Sequence, residues 1–330
     1  MQTQAPIPVV VVGVGHLGRH HARIYTEIPD AKLIGVVDSN EVNARTHGEK
    51  LGVPWDTRVD RFLPHARAFS VVVPTEHHFK VTMPLLDAGK HVLVEKPMAI
   101  NLEEARGMHA RAAEKNAVLQ IGHVERFNGA MLGARESVKN PRFIEVHRLG
   151  PFPERATDVG VVLDLMIHDI DLILSLVRSP VTDVRGMGAR VITKYEDIAN
   201  ARLEFANGCV ANITASRLTL SRMRKLRIFQ SDAYISVDCL KQTYAVFQKK
   251  VDFPTSLKDI QMKRPRVKKV EPLKLELEHF IQCVLQGRAP VVGPKEGLDA
   301  LSVALEIARK IEERKDLDQP MGSLAMMETV

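Results

Sequence analysis

The first third of the chain alternates short all-apolar runs with amphipathic stretches. Val9 to Val12 form one run, followed by a helical pattern from about His16 to Glu27. "KLIGVVD" (32–38) comes next. Then "FSVVVP" (69–74) precedes "HHFKVTMPLLDAG", "HVLVEKP" (91–97) precedes "LEEARGMHARAAEKN", and "VLQIGH" (118–123) closes the series. Strands buried inside a parallel sheet need runs that are apolar on both faces. Their alternation with helical segments predicts a doubly wound α/β domain over residues 1–123. The pattern then changes. "FIEVHRLG" (143–150) reads as a strand, and an apolar helix is predicted over 157–178. Strand-like runs follow at 183–193, 198–205, 209–217, 224–230, 233–238 and 243–248, with a hairpin turn at "ANG" (206–208). Consecutive strands without helices between them predict a largely antiparallel, open-faced sheet, hence an α+β domain over 124–330. Helices at about 272–286 and 294–315 end the pattern, with room to pack back on the first domain. Residues 316–330 read as a polar or frayed tail.

The helix "VVLDLMIHDIDLILSL" (161–176) is apolar enough to be buried, yet it carries Asp164, His168, Asp169 and Asp171. At α-helical spacing Asp164, His168 and Asp171 share one face, and Asp169 points away. Buried carboxylates and imidazoles are costly unless paired or facing a wet cavity. Both a structural network and a functional site satisfy that condition.

Composition adds little except through charge and cysteine. The net charge is +6, which fits an anionic ligand. The basic runs "SRMRKLR" (221–227) and "KRPRVKK" (263–269) come with no nucleic-acid motif and few aromatics, so both are expected in solvated loops. No apolar run approaches the roughly 18 residues of a membrane span. The N-terminal stretch lacks a basic segment and passes straight into a strand, so no signal peptide is expected. Cys209, Cys239 and Cys283 are far apart, with no C-x-x-C or zinc spacing. A reducing cytoplasm and no structural metal are therefore expected.

Gly13-Val14-Gly15-His16-Leu17-Gly18 lies between the first strand and its helix. In that context a G-x-G-x-x-G turn reads as the dinucleotide site of a Rossmann fold. Gly13 permits the tight turn, Gly15 lets a pyrophosphate approach the backbone, and Gly18 lets helix and strand pack closely. The helix start at His16 and Leu17 supplies amide donors to phosphate. Asp38 ends the second strand, 20 residues past Gly18. An acid there accepts ribose hydroxyls and repels a 2′-phosphate, and no Arg follows it, so NAD is expected over NADP. Pro74, Thr75 and His78 lie past one strand end, and Glu95 and Lys96 past another, where ligands bind in such sheets. A lone lysine in a loop is ordinarily solvated. At the carboxyl edge of a buried strand it becomes a catalytic candidate.

Together "GVGHLG", the T-x-x-H turn in "VPTEHH", "EKP" and the D-x-x-x-H helix "LDLMIHDID" resemble the Gfo/Idh/MocA family of sugar and polyol oxidoreductases. They stand in the family's order and span both halves of the chain. "EKPMA" departs slightly from the commoner "EKPLA", without touching the lysine. The resemblance implies that the buried helix lies at the domain interface facing the nicotinamide, with Asp164 and His168 catalytic. Asp171 is then structural, and Asp169 serves packing or a local hydrogen bond. "GHVERFNGA" (122–130), 158–176 and 207–238 are similar to the UDP-N-acetylglucosamine 3-dehydrogenase group. That group supplies a 3-keto sugar nucleotide to an aminotransferase, toward a 2,3-diamino sugar in lipid A. Gly129 stands where the group has proline, which loosens the loop but leaves Arg126 and Asn128. The resemblance also implies a homodimer or homotetramer built on the open sheet face.

The implied chemistry moves a hydride from a sugar carbinol carbon to nicotinamide. His168 is the expected general base, near its ordinary pKa. Asp164 would orient its ring, Lys96 would hydrogen-bond the reacting oxygen, and Glu95 would support Lys96 or the cofactor. Lys96, Arg126, Asn128, Asp164 and His168 are the candidate substrate contacts. For Arg126 and Asn128 an interdomain structural contact is the competing reading. Three rivals stand beside this one. A metal-dependent phosphohydrolase would use the "HD" at 168–169 but needs further ligands. A dinucleotide sensor needs no base. A family member acting on an inositol, another sugar or a UDP-sugar acid uses the same chemistry.

Overall fold

The computed structural model describes residues 5–152 and 159–313. Valine-rich β1 (Ile7–Val12) is buried along almost its whole length and forms the centre of the first sheet. With β2 (Ala31–Val37), β3 (Trp55–Asp56), β4 (Ala68–Val71), β5 (His91–Glu95) and β6 (Leu119–Gly122) it makes six parallel strands in the order β3-β2-β1-β4-β5-β6. The order reverses between β1 and β4, which opens a crevice at the carboxyl ends of the strands. Helices α1 (Gly18–Tyr25), α2 (Glu41–Leu51), α3 (His78–Asp87) and α4 (Leu102–Glu114) connect the strands. α1 is shorter at both ends than the predicted span. The two-residue β3 gave no strand pattern at all.

The chain leaves this sheet through a 3₁₀ turn at Val124–Phe127 and the short α5 (Gly129–Arg135). β7 (Phe143–Leu149) then starts the second sheet. A π-helical turn, Val162–Met166, leads into α6 (Ile167–Val177). The predicted start of this helix at 157 lies outside the described residues. β8 (Val181–Ala189), β9 (Ile198–Phe205), β10 (Val210–Ser216), β11 (Met223–Phe229), β12 (Ala233–Asp238), β13 (Thr243–Lys249) and β14 (Ile260–Lys263) complete eight strands ordered β14-β13-β12-β11-β7-β10-β9-β8. Every pair is antiparallel except β7 with β10. That pair is parallel because α6 and the β8–β9 hairpin lie between its members, and a crossover of that length permits parallel pairing.

Two sequence expectations need correction. The strand predicted over 183–193 spans Val181–Ala189. It stops because the amides of Val191, Ile192 and Thr193 all donate to Asp197 Oδ2, at 2.9, 2.7 and 2.9 Å, and not to a neighbouring strand. The basic run 221–227 is not a solvated loop. Most of it is β11, with Arg224 paired to Glu125 at 3.1 Å and Arg227 to Glu145 at 2.7 Å.

The C-terminal helices α7 (Pro272–Gln286) and α8 (Pro294–Glu312) both begin with proline in the first turn, where a missing N–H costs nothing. The predicted continuation of α8 to 315 and the tail at 316–330 run outside the described residues. α7 returns to the first sheet, burying Leu277, Phe280 and Ile281 against Val9, Val11, Ile24 and Tyr25. α8 touches both halves. Leu301 joins the core around Ile121, while Ala300, Ala304 and Ile307 join the core around α6.

α6 is fastened to its sheet by charge as well as by apolar packing. Arg148 on β7 grips Asp169 with two hydrogen bonds, Nε to Oδ2 at 2.7 Å and Nη2 to Oδ1 at 2.8 Å. Its remaining Nη1 donates to Glu125 Oε1 at 3.1 Å. All three side chains are buried. Removing one member of such a set strands a charge in a low-dielectric interior. We expect Asp169→Asn to lower stability by about 3–5 kcal/mol, measured by urea unfolding. A loss under about 1 kcal/mol, the scale of an exposed pair, would show that the clasp is dispensable.

Candidate active site

The crevice begins at the glycine turn after β1. Gly13 has φ +86°, and a Cβ there would meet the Val72 carbonyl oxygen at 2.5 Å. A Cβ on Gly18 would meet the Gly13 carbonyl oxygen at 1.7 Å. Gly15 is different: a Cβ would meet nothing within 4 Å, so its bareness leaves open space over the turn. That is the shape a pyrophosphate needs to reach the backbone at a helix start. His16 and Leu17 are exposed on the same turn. Asp38 sits beside it with its carboxylate fixed, Oδ2 accepting Val14 N at 2.9 Å and Oδ1 accepting Asn40 N at 2.9 Å. Turn and acid together fit a dinucleotide with a free ribose diol.

Pro74 and Thr75 lie at the crevice rim past β4, Pro74 exposed and Thr75 half-buried. His78 does not face the rim. It is buried, with Nδ1 2.9 Å from Pro97 O and Nε2 2.9 Å from Val73 O. A neutral imidazole can donate to only one of them. Either way His78 ties the turn after β4 to the turn after β5. Glu95 is also buried, contacting His21 Nε2 at 3.2 Å and its neighbour Lys96 N at 3.3 Å. Burial opposes its ionisation, but His21 and Lys96 outweigh that and keep it ionised.

Lys96 reaches across the seam between the sheets. Its Nζ donates to the Asp164 carbonyl at 2.7 Å and to Asp164 Oδ1 at 3.2 Å. Asp164 lies inside the π-turn that leads into α6. Asp164 is expected to orient His168; its carboxylate meets Lys96, and no hydrogen bond joins it to the imidazole. His168 Nδ1 is buried without a partner among the described residues, leaving Nε2 as the nitrogen able to meet a substrate. Burial, then the charges of Lys96 and Arg148, hold its proton affinity well below the ordinary 6.5. The ring is neutral at pH 7.

The remaining candidates lie behind this face. Arg126 Nε donates to Asp171 Oδ2 at 2.7 Å, with both side chains largely buried. Asn128 is buried too. Its Oδ1 accepts Ala130 N at 3.1 Å, capping α5, and its Nδ2 donates to Glu125 Oε2 at 3.2 Å and Cys239 O at 3.0 Å. Its amide is committed to holding the loop at the foot of the cleft. Gly129 lies 3.1 Å, at the position a Cβ would take, from the Lys268 carbonyl oxygen.

Several residues that shape the site carried no sequence signal. His123 sets its ring edge-on to His168, centroids 6.2 Å apart, and neither of its nitrogens has a partner among the described residues. Glu276 on α7 is fully buried, with both carboxyl oxygens likewise unpartnered. Burial, then Glu95 and Asp171, push its pKa well above the ordinary 4.5. The entry to the π-turn is held by Glu196, which accepts Val162 N at 3.3 Å and leaves no room for a Cβ on Gly160. Arg217 donates to Val159 O at 3.1 Å and to Asp197 at 2.8 Å.

Residues 7–123 match the Gfo/Idh/MocA profile described as an oxidoreductase family with an NAD-binding Rossmann fold, and residues 117–236 match the family's C-terminal domain. The chain is 36% identical over 303 residues to the UDP-N-acetylglucosamine 3-dehydrogenase of Acidithiobacillus ferrooxidans, an alignment covering 92% of this chain and 96% of that one. The solved structure of that enzyme superposes with a TM-score of 0.88 at 35% identity, over 94% of this chain and 99% of the other. The scyllo-inositol 2-dehydrogenase (NAD⁺) of Bacillus subtilis is 26% identical over 86% of this chain and 87% of its own length.

The elevated pKa of Glu276 has a signed consequence for stability. Its carboxyl stays protonated in the fold, whereas the unfolded chain releases that proton near 4.5. Above that pH the unfolded state gains free energy that the folded state does not, so stability falls as pH rises toward the folded pKa. Glu276→Gln removes this dependence with little change of shape. We expect the variant to melt close to wild type at pH 4.5 and above it at pH 8. A variant melting below wild type at pH 8 would show that the carboxylate is ionised and compensated.

Proposed function

From the premise that the chain belongs to the Gfo/Idh/MocA oxidoreductase family, we propose that it oxidises the C3 hydroxyl of UDP-N-acetylglucosamine to the 3-keto sugar nucleotide. The observation that carries the reading is Lys96 meeting Asp164 across the seam, with the lysine's charge acting on His168 one helical turn further on. The substrate class is taken from the relative that matches along nearly the whole chain at 36% identity.

Gly13, Gly15, Gly18 and Asp38 would hold NAD, which would supply the acceptor for the hydride. The protein's own part is proton and charge. His168, neutral at pH 7, takes the hydroxyl proton at Nε2. An ammonium has three donors, and Asp164 occupies two of those on Lys96. The third is free to hydrogen-bond the reacting oxygen and offset its developing negative charge. The three site residues are also the substrate contacts of this reading. Asp164 fixes the direction of the Lys96 donor. Arg126 and Asn128 act one layer back, by positioning. The second reading keeps this chemistry for another sugar, an inositol or a UDP-sugar acid, and inositol dehydrogenases among the relatives favour it.

Further parts of the reading concern context. A 3-keto sugar nucleotide is the substrate an aminotransferase needs to make a 2,3-diamino sugar, as in lipid A synthesis. Three buried free thiols and use of NAD support a cytoplasmic setting. No described helix is long and apolar enough to cross a membrane. An oligomer is supported by the open face of the second sheet. There Phe143, Phe229, Tyr234 and Phe247 form a ladder across four strands, with successive ring centroids 5.8, 4.9 and 5.4 Å apart.

Two measurements test these statements. Incubation with NAD⁺, UDP-N-acetylglucosamine and hydroxylamine should yield a trapped 3-keto adduct by mass spectrometry. Lys96→Met and His168→Ala should each bind NAD and lose at least about 100-fold in turnover. No adduct with NAD still bound discards this substrate, and near-normal turnover in both variants removes the site assignment. For the assembly, light scattering should find wild type dimeric or tetrameric and Phe229→Arg/Tyr234→Arg monomeric. A monomeric wild type discards the oligomer.

A further inference from the structure

A second cavity lies toward the C-terminal end of α6 and is bounded by α5, α6 and the start of α8. Its volume is about 690 Å³, and neither Lys96, Asp164 nor His168 lines it. Three guanidiniums do: Arg126 at its base, Arg135 from α5, and Arg178 from the residue that ends α6. Arg126 is neutralised by Asp171, and Lys295 at the wall is paired with Asp299 at 2.5 Å. Arg135 and Arg178 have no carboxylate partner among the described residues. Burial, then the charges of Arg126 and Arg178, lower the proton affinity of Arg135. The guanidiniums are thus close enough to repel one another. Arg178 is held in place by a left-handed backbone, φ 50°, and by Nε donating to Ser175 O at 3.3 Å.

Like charges gathered around a cavity are relieved by an anion placed between them. A guanidinium presents a planar fork that matches phosphate oxygens bidentately. Two unpaired forks facing one space call for a dianion. Ser175, Ser179 and Ser302 also line the space. The volume leaves room for an organic body beyond the phosphate. We propose that this cavity is a second ligand site, separate from the catalytic crevice, which takes a small phosphate-bearing metabolite between Arg135 and Arg178.

The site has a route to the chemistry. Its base is the Arg126–Asp171 pair, and Asp171 lies on the same helix as His168. Asp171 and Arg126 are both among the charges that act on His123, whose ring abuts His168. The proposal does not depend on which sugar is oxidised.

Calorimetric titration with pyrophosphate tests it, run at saturating NAD⁺ so that the glycine turn is already filled. Arg135 and Arg178 are exposed at the cavity mouth, so Arg135→Ala/Arg178→Ala should fold, and an unchanged melting temperature checks this. Wild type should bind pyrophosphate at one site, and the double variant should bind about tenfold more weakly or not at all. Equal binding by both proteins, or no binding by wild type at millimolar pyrophosphate, overturns the proposal.

Discussion

Lys96 spans the seam between the two sheets, and its ammonium is held by both the carbonyl and the carboxylate of Asp164. The lysine comes from the end of a parallel strand and the aspartate from a turn that opens a helix of the other sheet. Neither half of the molecule can form this contact alone. The features around it serve to place the two ends. On one side His78 bridges the carbonyls of Val73 and Pro97, fixing the turns after β4 and β5. On the other, Glu196, Asp197 and Arg217 hold the backbone entering the π-turn, and Arg148 fastens Asp169 on the helix just beyond it. A donor aimed in this way does not have to reorganise when charge develops on a substrate, which is how electrostatic preorganisation lowers a barrier.

The same seam gathers titratable groups with little water to share. His168 abuts His123, Glu95 acts by its charge on both His123 and Glu276, and burial pushes each of the four toward its neutral form. They resolve the conflict differently. Glu95 stays ionised because His21 and Lys96 stand against it, while Glu276 has no cation beside it among the described residues and keeps its proton. The two histidines stay neutral, which is the state a proton acceptor needs. This polar layer lowers stability at neutral pH and is offset by the apolar cores that α7 and α8 complete on either side.

The parts of this site that a reader could find in the sequence are those built from neighbours along the chain. The glycine turn, the strand-end Asp38 and the Glu95-Lys96-Pro97 step each declare themselves within a few residues, because strand, turn and helix impose local spacing. Asp164 and His168 were recognisable as residues but not as geometry. The partner of Asp164 is Lys96, 68 residues away along the chain and on the other sheet, and no local spacing announces that meeting. The end of β8 was missed because its deciding partner, Asp197, acts through a loop. Arg148, Glu276 and Arg217 were invisible for a related reason. Each looks like an ordinary charged residue until distant chain brings it to Asp169, Glu95 or Asp197.

The central claim is that the seam removes a hydride from C3 of a sugar nucleotide while His168 takes the hydroxyl proton. The most direct measurement uses UDP-N-acetylglucosamine carrying deuterium at C3, incubated with the enzyme and NAD⁺ under conditions that trap the ketone. Mass spectrometry of the NADH decides it. The account predicts that the label moves into the nicotinamide and that turnover slows relative to the protiated substrate. NADH formed without the label would place the oxidation at another carbon and contradict the account.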